Sequence, residues 1–186
     1  MRNIFAAVLV FACFCVSTTQ AAIVVQMRET AGDVVFTYGG SLDLSGVGSP
    51  GLSFSFGGIT PSSADLSLAS PSGTETEFYR SAIASSSIFG TGGRAPASVF
   101  QGDPFSVSGS DITTPRNYVS GSPIAGSFSF QGQTFNSLGI NNLASPFVWT
   151  VKGSGDTITL TAVPEPSSAA ACLLLPAWCV IRRKRR

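Results

Sequence analysis

Between residues 22 and 162, apolar residues alternate with serine, threonine and glycine instead of recurring at helical spacing. Segments 52–56 (LSFSF) and 128–130 (FSF) alternate strictly. Because successive side chains of a strand point to opposite faces, this period predicts half-buried strands with phenylalanines on one face and serines on the other. Short runs of this kind, separated by Gly and Pro turns, predict an all-β fold: a single β-sandwich or jelly-roll-like domain.

Two hairpins are predicted at the ends of this region. Segments 23–29 and 34–44 flank a Thr-Ala-Gly-Asp turn, and segments 147–152 and 157–161 flank a Gly-Ser-Gly-Asp turn. In the last hairpin Trp149 shares a face with other apolar residues, which predicts that it lies in the core rather than in a ligand platform.

The pattern weakens between residues 69 and 94. The serine run 85–87 and the glycine-rich run 90–93 predict exposed, mobile loops there. Outside the two ends of the chain, no segment has the spacing of a helix of useful length.

The charge of the central region limits its partners. Residues 22–163 hold five basic and nine acidic side chains, for a net charge of −4, whereas the whole chain has +1. A mildly acidic domain is not suited to bind nucleic acid or anionic lipid. We therefore expect no nucleic-acid partner.

Histidine is absent from the whole chain, and all four cysteines lie in the first 21 or last 24 residues. A Ser-His-Asp or Cys-His relay therefore cannot form in residues 22–162. Zinc and copper sites built from imidazole or thiolate are excluded for the same reason. The sequence predicts a domain that is not an enzyme, with no catalytic residues, no metal site and no cofactor.

Three weaker possibilities remain open. Glu75 and Glu77 could be the two carboxylates of a glycosidase, although charged residues at a solvated strand edge are the simpler interpretation. Sugar could stack on tyrosines or on Trp149. Calcium could bind aspartates with loop carbonyls, although no EF-hand-like loop is present. The tyrosines are Tyr38, Tyr79 and Tyr118, and the aspartates are Asp33, Asp43, Asp103, Asp111 and Asp156.

The first 21 residues have the pattern of a secretory signal peptide. Arg2 precedes an uncharged apolar stretch at 4–16, and small residues follow. Cleavage between Ala21 and Ala22 is predicted, since small residues then occupy the positions that signal peptidase reads. An alternative is lipidation at Cys13, but Phe11 is too large for the usual acceptor motif.

The last 24 residues combine three features. The first is an extended, proline-braced motif, because proline lacks an amide donor and disfavours helix at the preceding residue. The second is the uncharged apolar segment 167–181, predicted to be a short transmembrane helix that needs local bilayer thinning or snorkelling. The third is a basic terminus at 182–186, expected to stop transfer on the cytoplasmic side. The motif is Val163, Pro164, Glu165 and Pro166, and the terminus is Arg182, Arg183, Lys184, Arg185 and Arg186.

This three-part tail, downstream of a signal peptide, resembles the PEP-CTERM sorting signal of Gram-negative bacteria. The same tail is sometimes labelled an ice-binding protein C-terminal domain, a label that implies no ice binding. The resemblance covers residues 163–186 and implies recognition by exosortase, a membrane-embedded sorting enzyme. A weaker similarity to the opening of secreted domains with this tail lies in residues 28–35 and 40–46.

Together these features predict three parts: a signal peptide at 1–21, an exported all-β domain at 22–162 and a sorting signal at 163–186. The expected partners are the Sec translocon, signal peptidase, an exosortase and the membrane, with exopolysaccharide as a further candidate. We expect the precursor in the inner membrane with a periplasmic domain, and the processed protein at the cell surface or outside the cell. A structural or adhesive role in a polysaccharide-rich envelope or biofilm is expected; the alternatives are a polysaccharide-binding module and a glycosidase.

Overall fold

A computed structural model describes residues 22–85 and 88–163. These residues form fourteen β-strands in two seven-stranded sheets, with one 3-10 helix at Pro61–Ser63. The first sheet has, in spatial order, β7 (Ile83–Ser85), β13 (Phe147–Val151), β14 (Thr157–Ala162), β1 (Ala22–Thr30), β2 (Asp33–Gly40), β12 (Ile124–Phe130) and β9 (Val99–Gly102). The second has β3 (Gly51–Ser55), β6 (Thr74–Tyr79), β11 (Asp111–Pro115), β10 (Phe105–Ser108), β5 (Asp65–Leu68), β4 (Gly58–Thr60) and β8 (Ala95–Pro96).

Both predicted hairpins are confirmed. β1 and β2 pair antiparallel around Ala31 and Gly32, whose φ angles are 52° and 87°. Two residues with positive φ match the twist of the flanking strands, which favours a tight two-residue turn. β13 and β14 form the last hairpin. β14 also pairs in parallel with β1, so the first and last described strands lie side by side.

One hydrophobic core lies between the two sheets. β1 contributes every second residue to it, and so do β2, β13 and β14 from the same sheet. Leu66 and Leu68 of β5 enter the core from the second sheet, and the rings of Tyr38 and Phe105 meet across it at 6.5 Å. Trp149 is fully buried, as its spacing predicted. The all-β prediction is therefore confirmed in a two-layer arrangement.

The period-two prediction holds for one of its two segments and fails for the other. Phe128 and Phe130 are buried, as predicted. Phe54 is instead 68% exposed, whereas Ser55 beside it is only 8% exposed. The register places Phe54 on the edge strand β3 opposite Glu75, on the same sheet face as the core residue Tyr79. Phe54 is therefore exposed because it lies at the edge of the sheet, beyond the reach of the core.

The glycine-rich run at 90–93 is exposed at Thr91 and Gly93, as predicted, but its first residue is not. Gly90 is buried and forms an isolated bridge with Ile140. The amides of Thr91 and Gly92 both donate to the carbonyl of Gly139, at 2.9 and 3.3 Å. A Cβ atom on Gly90 would lie 2.9 Å from the Cβ of Pro61, so the glycines permit a close backbone approach.

The predicted signal helix at 1–21 and transmembrane helix at 167–181 lie outside the described residues. Within residues 22–85 and 88–163, no helix has the length and apolar character needed to cross a bilayer.

Candidate functional site

The second sheet curls away from the core and encloses a cleft. The hydroxyls of Ser55 on β3 and Ser67 on β5 lie 2.9 Å apart, although β6, β11 and β10 separate these two strands. At the usual strand spacing, a flat sheet would hold them about 19 Å apart. Only Phe56 and Gly57 connect β3 to β4, so this short connection brings the edge strand β3 close to β4 and to its neighbour β5. We call this hollow the concave cleft.

The floor of the concave cleft is a row of hydroxyl groups. Residues paired across a sheet share a face, and the register places Ser106 between Ser67 and Thr113. Their neighbours along each strand, such as Leu66, point to the core on the opposite face. The cleft has a volume of about 240 Å³. Its lining residues are Ser53, Phe54, Ser55, Phe56, Gly58, Ile59, Thr60, Asp65, Ser67, Phe78, Arg94, Ser106, Ser108 and Thr113.

Two of these hydroxyls are free to meet a ligand. Ser106 and Thr113 are only 5% and 7% exposed. Neither hydroxyl makes a hydrogen bond to another residue within 22–85 and 88–163, and both residues line the cleft, so their oxygens are reachable from it. By contrast, Ser55 pairs with Ser67, and Thr76 donates to the carbonyl of Ser53 at 3.2 Å. A hydroxyl can both donate and accept a hydrogen bond, so Ser106 and Thr113 can each pair with a donor or an acceptor of a ligand.

One acid and one base stand in the cleft. Burial raises the pKa of Asp65, and this rise is partly offset by the Ser108 hydroxyl and by the charge of Arg94. Both charged residues line the same hollow. Since every other lining residue is uncharged, the two charges balance and the site has no net charge.

Aromatic rings border the hydroxyl floor. Phe78 lies beside Thr113 in the register and is partly exposed. The guanidinium carbon of Arg80 stands 5.7 Å from the centre of its ring. Phe56 is 50% exposed, and its ring lies against Gly73, where a Cβ atom would come within 2.9 Å of it. The cleft therefore combines polar hydrogen-bonding groups with apolar flat surfaces.

The structure does not bring Glu75 and Glu77 into the cleft. They share one face of β6, as their spacing predicted, but Glu75 forms an ion pair with Arg116. Glu77 accepts a hydrogen bond from the amide of Asn117 at 3.1 Å. Both carboxylates hold the turn that follows β11. In the described part of the chain, Asp65 is the one carboxylate that lines the cleft, and a glycosidase needs two.

The five aspartates considered for calcium brace loops instead. Each accepts a backbone amide, and the five are distributed over the domain; only Asp43 and Asp156 meet, where the amide of Asp43 donates to Asp156 at 2.6 Å. Hydrogen bonds from the hydroxyl and then the amide of Ser45 lower the pKa of Asp43. No group of three or more acids suited to a metal occurs within residues 22–85 and 88–163. The other amide donors are Gly132 to Asp33, Ala125 to Asp103 and Ser81 to Asp111.

The suggested tyrosine platform is wrong. Tyr38 is buried and donates to the carbonyl of Asp103, and burial raises its pKa. Tyr79 is also buried, and its pKa is raised by the same cause. The hydroxyl of Tyr118 accepts from the amide of Leu42 at 3.0 Å. These tyrosines fasten loops and strands, so their rings are not aligned on an exposed face.

Of the predicted targeting residues, Ala22 and Val163 lie within the described chain. Ala22 is the first residue of β1. Val163 follows β14 directly, and its amide donates to the carbonyl of Met27 at 2.9 Å. Val163 also borders a hollow of about 310 Å³ on the outer face of β1 and β2. The motif residues 164–166, the basic terminus 182–186 and Ala21 lie outside the described residues.

The concave cleft was not predicted from the sequence. Its signal is visible afterwards as serine at every second position of several strands of the second sheet, such as Ser53 with Ser55 and Ser106 with Ser108. These residues become one site only through the pairing of distant strands.

Neither the protein-family models, nor the curated proteins, nor the solved structures searched contain a match to this chain.

Proposed function

We propose that this protein is exported, anchored and then sorted to the cell surface or the extracellular space, with a structural or adhesive role in a polysaccharide-rich envelope. Its parts are a signal peptide at 1–21, a β-sandwich or jelly-roll-like domain at 22–162 and a PEP-CTERM-type sorting signal at 163–186. A signal helix and a short transmembrane helix at 167–181 flank the domain. The protein is a substrate of sorting enzymes and not itself an enzyme.

The observation that carries this proposal is the junction between domain and tail. β14 ends at Ala162, and the next residue, Val163, is the first of the proline-braced motif and is held against β1 through Met27. The motif therefore starts where the folded domain ends, with no intervening linker. An extended proline-containing segment at such a junction is open to a processing enzyme because its proline residues disfavour helix.

Export follows in three steps under this proposal. The Sec translocon passes the chain, and signal peptidase cuts between Ala21 and Ala22. The segment 167–181 then holds the precursor in the inner membrane, with the basic terminus 182–186 in the cytoplasm. An exosortase finally reads the motif at 163–166 and releases or transfers the domain.

Changing Pro164 and Glu165 together to alanine tests the proposal in cells that carry an exosortase. We expect a membrane-held precursor to accumulate, because the sorting enzyme loses its recognition motif. Immunoblots of membrane, periplasmic and medium fractions measure this. The matched control is Pro146→Ala, at an exposed position outside the motif. Normal maturation of the doubly changed chain would contradict the proposed sorting.

A second candidate function, a polysaccharide-binding module, is favoured by the concave cleft. Its free hydroxyls at Ser106 and Thr113 and the rings of Phe56 and Phe78 are the groups that hold sugars: hydrogen-bonding partners beside flat apolar surfaces. Binding of this kind is compatible with an adhesive role, because a surface protein that holds a polysaccharide links the cell to its matrix.

A further inference from the structure

We infer that the concave cleft binds one neutral pyranose ring of a polysaccharide. This inference specifies the ligand for the second candidate function, polysaccharide binding, and rests on that function. The site lies on the face of the second sheet opposite the core, and its lining includes Ser55 of β3 and Asp65 of β5.

The hydrogen-bonding groups of the floor match the edge of a sugar. The side chains of Ser106 and Thr113 are more than nine-tenths buried, and within the described chain neither hydroxyl makes a hydrogen bond to another residue. Both residues line the cleft and neither oxygen is fully enclosed, so a ligand in the cleft can reach them. A buried polar group is normally paired with protein, water or ligand. Sugar hydroxyls, which both donate and accept, suit side-chain hydroxyls of the same kind. An apolar ligand would leave this pair unsatisfied.

The aromatic rings of Phe78 and Phe56 supply apolar surfaces on which a sugar can stack. A pyranose has polar edges and an apolar C–H face, and such a face packs well on an aromatic ring. Phe78 stands next to Thr113, so a ring lying on Phe78 has its edge over the hydroxyl floor. Phe56, half exposed at the other side, borders the same hollow. One bound ring can thus contact both kinds of surface at once.

The net charge and the volume of the concave cleft further restrict which sugars can bind there. Asp65 and Arg94 leave the cleft with no net charge, so neither an acidic nor a basic sugar gains an overall attraction. The volume of about 240 Å³ lies below the range of about 300–1,000 Å³ that is typical of drug-sized ligands. Such a hollow holds one ring, as a chain end or a side branch, rather than several consecutive sugars.

Saturation-transfer-difference NMR on the full chain in nanodiscs tests this inference. Nanodiscs avoid detergents that have sugar head groups. The probes are the methyl glycosides of glucose, galactose and mannose, with glucuronate and glucosamine as charged comparisons. We expect at least one neutral glycoside to bind with a dissociation constant on the order of a millimolar, as suits a ligand of this size. We expect it to bind more tightly than both charged sugars.

Three variants assign the binding to the cleft. Thr113→Val keeps the shape and removes the hydroxyl, so affinity should fall about tenfold. Thr113→Ser keeps the hydroxyl and should retain binding. Thr159→Val makes the same change on β14, opposite the exposed Val148, and should have no effect. Near-UV circular dichroism checks that each variant is folded, and Phe78→Leu, which weakens binding by removing the ring, replaces Thr113→Val if that variant unfolds.

Two results would overturn the inference: no response from any neutral glycoside, or equal binding by the wild type and Thr113→Val. A preference for glucuronate or glucosamine would overturn its claim of a neutral ligand. Failure here is distinguishable from failure of the proposed sorting, because fractionation of Pro164 and Glu165 variants reports on export whether or not the cleft binds sugar.

Discussion

Trp149 lies in the core and yet has a side-chain hydrogen-bond donor without a partner. Its side chain is fully buried, and its indole N–H is the one fully enclosed side-chain donor or acceptor that lacks a hydrogen-bond partner in the described chain. Phe89 packs edge-on against it at 6.3 Å. The residue therefore stabilises the fold through apolar contact, and its polar atom detracts from that stability.

Replacing Trp149 by phenylalanine and by alanine separates these two effects. Trp149→Ala should lower the free energy of unfolding by about 3–5 kcal/mol, because it opens a large cavity. Trp149→Phe should cost less than about 2 kcal/mol, since losing the unpartnered donor offsets part of the lost contact. Urea unfolding of both variants measures the difference. Equal losses of unfolding free energy in the two variants would contradict the interpretation that the unpartnered N–H lowers stability.

Asp65 should make the stability of the domain depend on pH. Burial raises the folded-state pKa of this carboxyl above its ordinary value near 3.9. A raised pKa means that the folded state favours the protonated form, so this contribution to stability is present below the ordinary pKa and is lost as pH rises through the folded value. At neutral pH, ionised Asp65 is therefore unfavourable.

Asp65→Asn tests this sign. We expect the variant to be more stable than the wild type at about pH 7 and to lose that advantage at about pH 3, where the carboxyl is protonated in both states. Denaturant midpoints at the two pH values measure the effect. Asp33→Asn, at an exposed loop contact with no such burial, serves as the control. An advantage that persists at low pH would count against this explanation.

At the level of elements, the edge strand β3 departs from the usual alternation. Leu52 and Phe54 lie opposite Glu77 and Glu75 and are largely exposed. Ser55, on the other face, is buried within the curled sheet. Exposed apolar residues on an edge strand usually mark contact sites or aggregation hazards.

Alanine substitutions on two strands should therefore have very different costs. Phe54→Ala should change the free energy of unfolding by no more than about 0.5 kcal/mol, because the side chain is exposed. Phe128→Ala on β12 should cost about 3–5 kcal/mol, since that ring is buried at 4.6 Å from the ring of Phe36. Chemical unfolding compares the two. A large cost at Phe54 would show that the face of β3 that carries Leu52 and Phe54 is covered.

Local pairing was predictable from the sequence, whereas distant pairing was not. The hairpin of β1 and β2 follows from alternation on both sides of a Gly-containing turn. The parallel pairing of β1 with β14 joins the two ends of the described chain, and no local signal specifies it. Closing so long a loop has an entropic cost that only the assembled core can offset.

At the scale of the whole molecule, one core unites both sheets. Leu66 and Leu68 of the second sheet belong to the same buried cluster as Ile158 and Leu160 of the first. Neither sheet can bury its apolar face alone, so the domain should unfold in one cooperative step.

Two optical probes test this cooperativity. Trp178→Phe leaves Trp149, on the first sheet, as the sole tryptophan of the chain. Its fluorescence and the far-UV circular dichroism of all strands should then give the same unfolding curve in urea. Separate midpoints would mean that the sheets unfold independently, contrary to a shared core.

The sequence alone determined the all-β class, the two terminal hairpins and the burial of Trp149, because these depend on neighbouring residues. Its lack of histidine also excluded histidine-based catalysis at once. Only the tertiary structure decided which face of 52–56 is buried, that the tyrosines act as internal fasteners, and that Ser106 and Thr113 share a cleft. Alternation separates a strand into two faces, but the strands that pair with it from far along the chain decide which face meets the core.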